Sequence, residues 1–142
     1  HALNDNAANL SVQLERIAEG ARSDGGPQIE LEVLAEHAPA NVANCFAAIL
    51  REALSNTIRH ARAQNVTVRC MEHPSFYQLI VTDDGAGATP ANNRNAAEGM
   101  GLGSMRERVE ALGGTFTAGP RAGAPGWRVF ATVPKQQGDD AR

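Results

Sequence analysis

The sequence predicts a two-layer α/β sandwich of the α+β kind, with a mixed, mainly antiparallel sheet covered on one face by helices. Two observations carry this. Helical and strand periodicities follow in the order α-β-α-β-β-loop-α-β-β, which fits neither a doubly wound sheet nor a bundle. Adjacent strand patterns are joined as hairpins and lie beside segregated helical patterns.

Leu10, Leu14 and Ile17, with Val12 and Ala21 nearby, predict a first helix that stops before Ser23-Asp24-Gly25-Gly26-Pro27, a turn signal. Gln28 to Val33 alternates polar and apolar residues, as a half-buried strand does, and His37-Ala38-Pro39 breaks it. Asn41 reads as the cap of a long helix from Val42 to about Ala63, a stretch without Gly or Pro. Its apolar face is Phe46, Ile49, Leu50, Ala53, Leu54 and Ile58. Strands are expected at Asn65–Met71 and Phe76–Thr82, joined at His73-Pro74-Ser75. A polar stretch from Asp83 to Gly103 has the length of a functional loop or lid. Ser104–Leu112 reads as a helix stopped by Gly113-Gly114, and Thr115–Ala118 and Trp127–Val133 as a closing strand pair. One domain over residues 1–142 is expected, with a core at about 10–134 and a polar tail at 135–142.

Composition narrows the function. The chain is 42% hydrophobic and 20% charged with a net charge of -3, so it offers no broad basic surface to nucleic acid or anionic lipid. Its apolar runs are too short to span a membrane, and no signal-peptide pattern opens it. Cys45 and Cys70 lie in apolar-patterned segments and read as small buried thiols of a reduced compartment. The expected location is cytoplasmic, as a free protein or the cytosolic part of a larger sensor, without direct membrane contact.

Three constellations carry chemistry. In REALSNTIRHARA, Glu52, Asn56 and His60 are four apart and stack along one stripe of the helix. Asn offers Mg²⁺ a neutral oxygen, Glu accepts a proton, and His donates to phosphate. A solvated polar face accounts for the same spacing. At Val81-Thr82-Asp83-Asp84-Gly85-Ala86-Gly87 a strand ends in two acids and Gly-x-Gly. An Asp there can accept a hydrogen bond from the adenine amine; a plain Asp-Gly turn is the other reading. Gly99, Gly101 and Gly103 run into a helix start, where amides and the helix N-terminus favour a polyphosphate. The spacing matches neither the dinucleotide fingerprint nor a Walker A loop.

In this order the segments resemble the N-box (REALSNTIRHA), G1 box (DDGAG) and G2 box (GMGLGSMRERVEALGG) of the GHKL ATPase superfamily, which has the Bergerat fold. The His60-Ala61 ending and the run Gly-Leu-Gly-Ser-Met-Arg-Glu-Arg are similar to the NarL/DesK-like sensor histidine kinases. The resemblance covers about residues 10–134. It implies ATP and Mg²⁺, with Asn56 holding the metal, Glu52 assisting proton transfer from the attacking group, and His60 beside the phosphates. Asp83 would receive the adenine amine and Asp84 fill the variable position. Gly85 and Gly87 would border the base; Gly99, Gly101, Leu102 and Gly103 would border the phosphates. Arg106 and Arg108 contact phosphate or partner helices, or only solvate their helix.

Two departures stand out. Gly126-Trp127 replaces the family's usual Gly-Thr near the last strand, and none of His1, His37, His60 or His73 lies in an acceptor-like helix. The implied partners are therefore a separate pair of dimerisation helices bearing the phosphoacceptor histidine, and a response regulator. A serine kinase or ATPase of the anti-sigma-factor type and a non-catalytic nucleotide-binding relay are the alternatives.

Overall fold

The computed structural model describes residues 10–23, 25–35, 37–85 and 101–136. Its elements are α1 (Leu10–Ser23), β1 (Gln28–Val33), α2 (Ala40–Asn56) continued by a π-helical turn (Thr57–Ala61), β2 (Asn65–Glu72), β3 (Phe76–Asp83), α3 (Leu102–Glu110), β4 (Thr115–Pro120) and β5 (Trp127–Pro134). The sheet order is β1-β2-β3-β5-β4. β1 runs parallel to β2, because the chain crosses over through α2 between them, and the other three pairs are antiparallel.

Strict alternation gives the sheet one buried face. Val66, Val68 and Cys70 of β2 are buried, as are Tyr77, Leu79 and Val81 of β3 and Val129, Ala131 and Val133 of β5. Register aligns them in rows: Val68 opposes Val81, which opposes Val129; Cys70 opposes Leu79, which opposes Ala131. Against these rows α2 buries Phe46, Ile49, Leu50, Ala53 and Leu54, and α1 and α3 add Leu10, Leu14, Met105 and Val109. A side chain such as Phe46, with no exposed surface, contributes roughly 1.5–3 kcal/mol by leaving water. Cys45 and Cys70 are buried free thiols, and burial pushes Cys70 up to about 12, which leaves it unreactive.

Three expectations change. Asn41 does not cap α2: Pro39 holds the extended cap conformation, and its carbonyl accepts from Ala43 N at 2.9 Å. Proline suits that place because its φ is fixed and it has no N–H to satisfy. The Asn41 side chain accepts from its neighbour Val42 N instead, at 2.8 Å. The long helix also changes pitch after Asn56. Arg62 N donates to Thr57 O at 3.0 Å and closes the turn in the left-handed region at φ 53°. Thr57, where the turn begins, is 2% exposed, while Ile58 is 44% exposed and so is not part of the buried face. Finally, the third helix starts at Leu102 and ends at Glu110, earlier at both ends than the pattern suggested.

Candidate functional site

The buried polar side chains among the described residues are Asn56, Thr57 and Asp83, at 8%, 2% and 6% exposure. They lie at one end of the covered face, where α2 gives way to the π turn and β3 ends. Burying polar groups together is costly unless they hold one another or await a ligand.

Asp83 is held from several sides. Thr57 Oγ1 donates to its Oδ2 at 3.2 Å, and Gly85 N donates to its Oδ1 at 2.9 Å. The backbone N–H of Trp127, directly opposite on β5, lies near enough to favour the charged form. Burial is the largest influence on its titration and raises it above the usual carboxylate range, against the pull of these donors. The result is a fixed acceptor in a poorly hydrated place, suited to read a neutral donor.

Asp84, the next residue, is a clip. Its Oδ1 accepts from Gln64 N at 2.9 Å and Asn65 N at 3.0 Å, and its Oδ2 accepts from Asn65 Nδ2 at 2.9 Å. Asn65 above all lowers its titration. The clip ties the end of β3 to the start of β2 and so fixes the strand end from which Asp83 projects inward.

Glu52 lies one helical turn before Asn56 and is partly exposed. Gly101, the cap of α3, sits directly on its carboxylate: a Cβ there would stand 2.7 Å from Glu52 Oε2. Gly101 also has φ 71°, so a side chain is excluded by conformation as well as by space. The N-terminus of α3 thus faces Glu52, and Leu102 packs against the core while Gly103 is exposed.

The structure therefore brings Glu52, Asn56, Asp83, Gly85 and Gly101 to one end of the molecule. Asn56 is thus not on a solvated face, while Glu52 of the same stripe is partly exposed. The π turn means that His60 no longer follows Asn56 by one ordinary turn, and its side chain lies outside the described residues, as do Gly87, Gly99 and the rest of 86–100. Of the loop expected from Asp83 to Gly103, Asp83 instead closes β3, and Leu102 and Gly103 open α3. Arg106 is engaged structurally: it donates to Phe116 O at 2.9 Å and lies 5.3 Å over that ring. Arg108 is exposed. Among the described residues no group of three or more His, Cys, Asp or Glu could hold a metal, so a cation here would need a ligand's oxygens beside the Asn56 carbonyl.

Sequence reasoning missed Thr57 and the Trp127 amide. Thr57 was detectable, because it falls four residues after Ala53, where the apolar stripe returns to the core. The nearness of the Trp127 amide to Asp83 was not, since it depends on which strand pairs with β3.

Residues 41–137 match the family described as histidine kinase-, DNA gyrase B-, and HSP90-like ATPase. The chain is 36% identical over 88 residues to the signal transduction histidine-protein kinase/phosphatase UhpB of Salmonella typhimurium, covering 62% of this chain and 16% of that protein. It is 33% identical over 95 residues to the nitrate/nitrite sensor protein NarQ of Escherichia coli, covering 66% of this chain and 16% of that one. Among solved structures it resembles the histidine kinase domain of the Erythrobacter litoralis EL346 blue-light activated histidine kinase, with TM-score 0.69 and 26% identity over 88% of this chain and 60% of that one. The catalytic domain of histidine kinase ThkA, at 16% identity, shares the fold with TM-score 0.69 over 89% of this chain and 92% of that one.

Proposed function

The chain belongs to the histidine kinase-, DNA gyrase B-, and HSP90-like ATPase family, and from that premise we propose that it is the ATP-binding catalytic domain of a NarL/DesK-like sensor histidine kinase. Membership implies nucleotide binding; the acceptor and the residue roles are our reading. The observation that carries it is Asp83, a buried carboxylate held by Thr57 and Gly85 beside buried Asn56.

In this reading Asp83 accepts a hydrogen bond from the adenine amine, and Gly85 and Gly87 border the base. Asn56 offers its carbonyl oxygen to Mg²⁺, which when bound neutralises charge on the phosphates. Gly99, Gly101, Leu102 and Gly103 border the triphosphate at the N-terminus of α3, and His60 donates to it. An imidazole nitrogen of the acceptor histidine attacks the γ-phosphorus, the bond to the β-phosphate oxygen breaks, and ADP leaves. Glu52 takes the proton that the imidazole gives up. The acceptor sits on separate dimerisation helices, and the phosphoryl group passes on to a response regulator. No helix among the described residues is long and apolar enough to cross a membrane, which is compatible with the cytosolic portion of a sensor.

Thermal melting against nucleotides tests this. ATP and ADP should stabilise the chain, ATP more so with Mg²⁺, by about 2.7 kcal/mol at a hundredfold over Kd. GTP should not, because its carbonyl would face the Asp83 carboxylate. Equal shifts with ATP and GTP would refute the adenine assignment. Labelling then identifies the acceptor: acid-labile, base-stable phosphate on added dimerisation helices supports histidine, and acid-stable phosphate on a partner protein supports a serine kinase.

A further inference from the structure

Asp83 and Trp127 are cross-strand partners on β3 and β5. Along β5 the buried residues are Val129, Ala131 and Val133. Side chains alternate, so Trp127 falls on their face, the same face as Asp83. Residues directly opposite in an antiparallel pair have Cβ atoms about 4.5–5.5 Å apart. The indole is half-buried and packs against the core, at the end of the sheet where Asn56, Thr57 and Asp83 collect.

The entry into β5 fixes this placement. Gly126 has φ 126°, and the position of its absent Cβ is taken by the Asp83 carbonyl. The strand therefore starts hard against the end of β3, with Trp127 directly opposite Asp83 and little freedom to slide. A wide aromatic surface is thus held beside an acceptor that can read an exocyclic amine.

We propose that the Trp127 indole is a wall of the purine subsite, bounding the space beside the amine that Asp83 accepts and so setting which purines fit. The assignment rests on the ATP reading above and deepens it. Purine faces stack favourably on aromatic side chains, and an indole offers the largest such surface. Its bulk also closes the space that a substituent on the amine would need. The pocket then selects twice, by the Asp83 hydrogen bond and by the room that Trp127 leaves.

Trp127 is the chain's one tryptophan, so its emission reports this position alone. On the unaltered chain, ATP should change the emission and reduce quenching by acrylamide, with the same midpoint as the thermal titration. Trp127→Ala should weaken ATP by roughly five- to a hundredfold, the span of base–aromatic stacking losses. It should also accept N6-benzyl-ATP, which the unaltered chain rejects. Trp127→Phe should keep ATP affinity within about tenfold, since a smaller aromatic wall remains. Unchanged emission and quenching at ATP saturation overturn the assignment even if the variants do not fold. So does an unchanged preference for ATP over N6-benzyl-ATP in a folded Trp127→Ala. If ATP fails to raise the melting temperature of the unaltered chain, the ATP reading falls first; if ATP binds and the indole is indifferent, only the wall falls.

Discussion

At the hairpin end of the sheet, polar groups satisfy one another near the surface. Lys135 Nζ meets Glu72 Oε2 at 2.7 Å and lies 5.4 Å over the Tyr77 ring, and His73 Nε2 meets Gln78 Oε1 at 3.1 Å. At the opposite end Asn56, Thr57 and Asp83 are buried, and the donors around Asp83 aim a carboxylate that burial disfavours. The first end is arranged for stability. The second carries a cost that a bound ligand would offset. Marginal stability makes such a cost visible, since one or two kcal/mol is a large share of what holds a domain together.

The largest effect that would sharpen this contrast is on chemistry at the site end. Glu52→Gln should leave ATP affinity unchanged and slow phosphotransfer to added dimerisation helices by roughly a hundredfold or more, as loss of a general base does. Transfer at the unaltered rate would show that the carboxylate facing Gly101 is not the base. Next comes binding: Asp83→Asn should weaken ATP on the order of ten- to a hundredfold, because a charge-assisted hydrogen bond is lost. The same variant should melt no lower without ligand, since a neutral amide escapes the burial cost. A variant that instead melts lower would make Asp83 a structural group and erase the contrast.

A smaller effect is the pH response set by Thr57. Burial raises Asp83 in the folded state, so stability without ligand falls as pH rises from the ordinary carboxylate range through the raised value. ATP needs the ionised acceptor, so its affinity rises through the same window. The groups that face Asp83 are Thr57, the amides of Gly85 and Trp127, and the like charge of Asp84, which opposes ionisation weakly. Removing the hydroxyl in Thr57→Val takes away a donor to the charged form and should move both midpoints to higher pH. Thr57→Ser should restore them. The nucleotide's own titration is common to all three proteins, so a Kd series across pH isolates Thr57; coincident curves for Thr57→Val and the unaltered chain would deny it the positioning role.

Most of the scaffold was legible because the strands alternate cleanly and Gly and Pro punctuate them: Gln28–Val33 was bounded to the residue. Of the candidate site, the residues that the fold brings to one end were legible where chemistry and spacing coincide, at Asp83 and at Glu52 and Asn56. What failed was continuity of pitch. Thr57 to Ala61 has no residue that marks a π turn, so Ile58 was read inward; Thr57, which ordinary spacing from Ala53 puts on the core side, was passed over because it is polar. The closing contacts of Gly101 on Glu52 and of Gly126 on Asp83 join residues far apart in sequence, and only tertiary packing creates them.

The smallest effect tests the hairpin end itself. The Lys135–Glu72 pair is 2.7 Å long but partly open to solvent, with side-chain exposures of 13% and 28%. Water screens such a pair, and ordering two long side chains offsets much of the attraction, so exposed pairs contribute about 0.2–1 kcal/mol. Lys135→Met keeps the aliphatic packing over Tyr77 and leaves untouched the backbone bond from Lys135 N to Ser75 O at 2.9 Å. Denaturant titration should therefore show a loss within about 1 kcal/mol, shrinking as salt is added. ATP affinity should not change, because the pair lies at the far end of β3 from Asp83 and the strand between them is held on both sides by β2 and β5. A Lys135→Met chain that lost ATP affinity would mean that the two ends are coupled through β3, and that stability and site are not built separately after all.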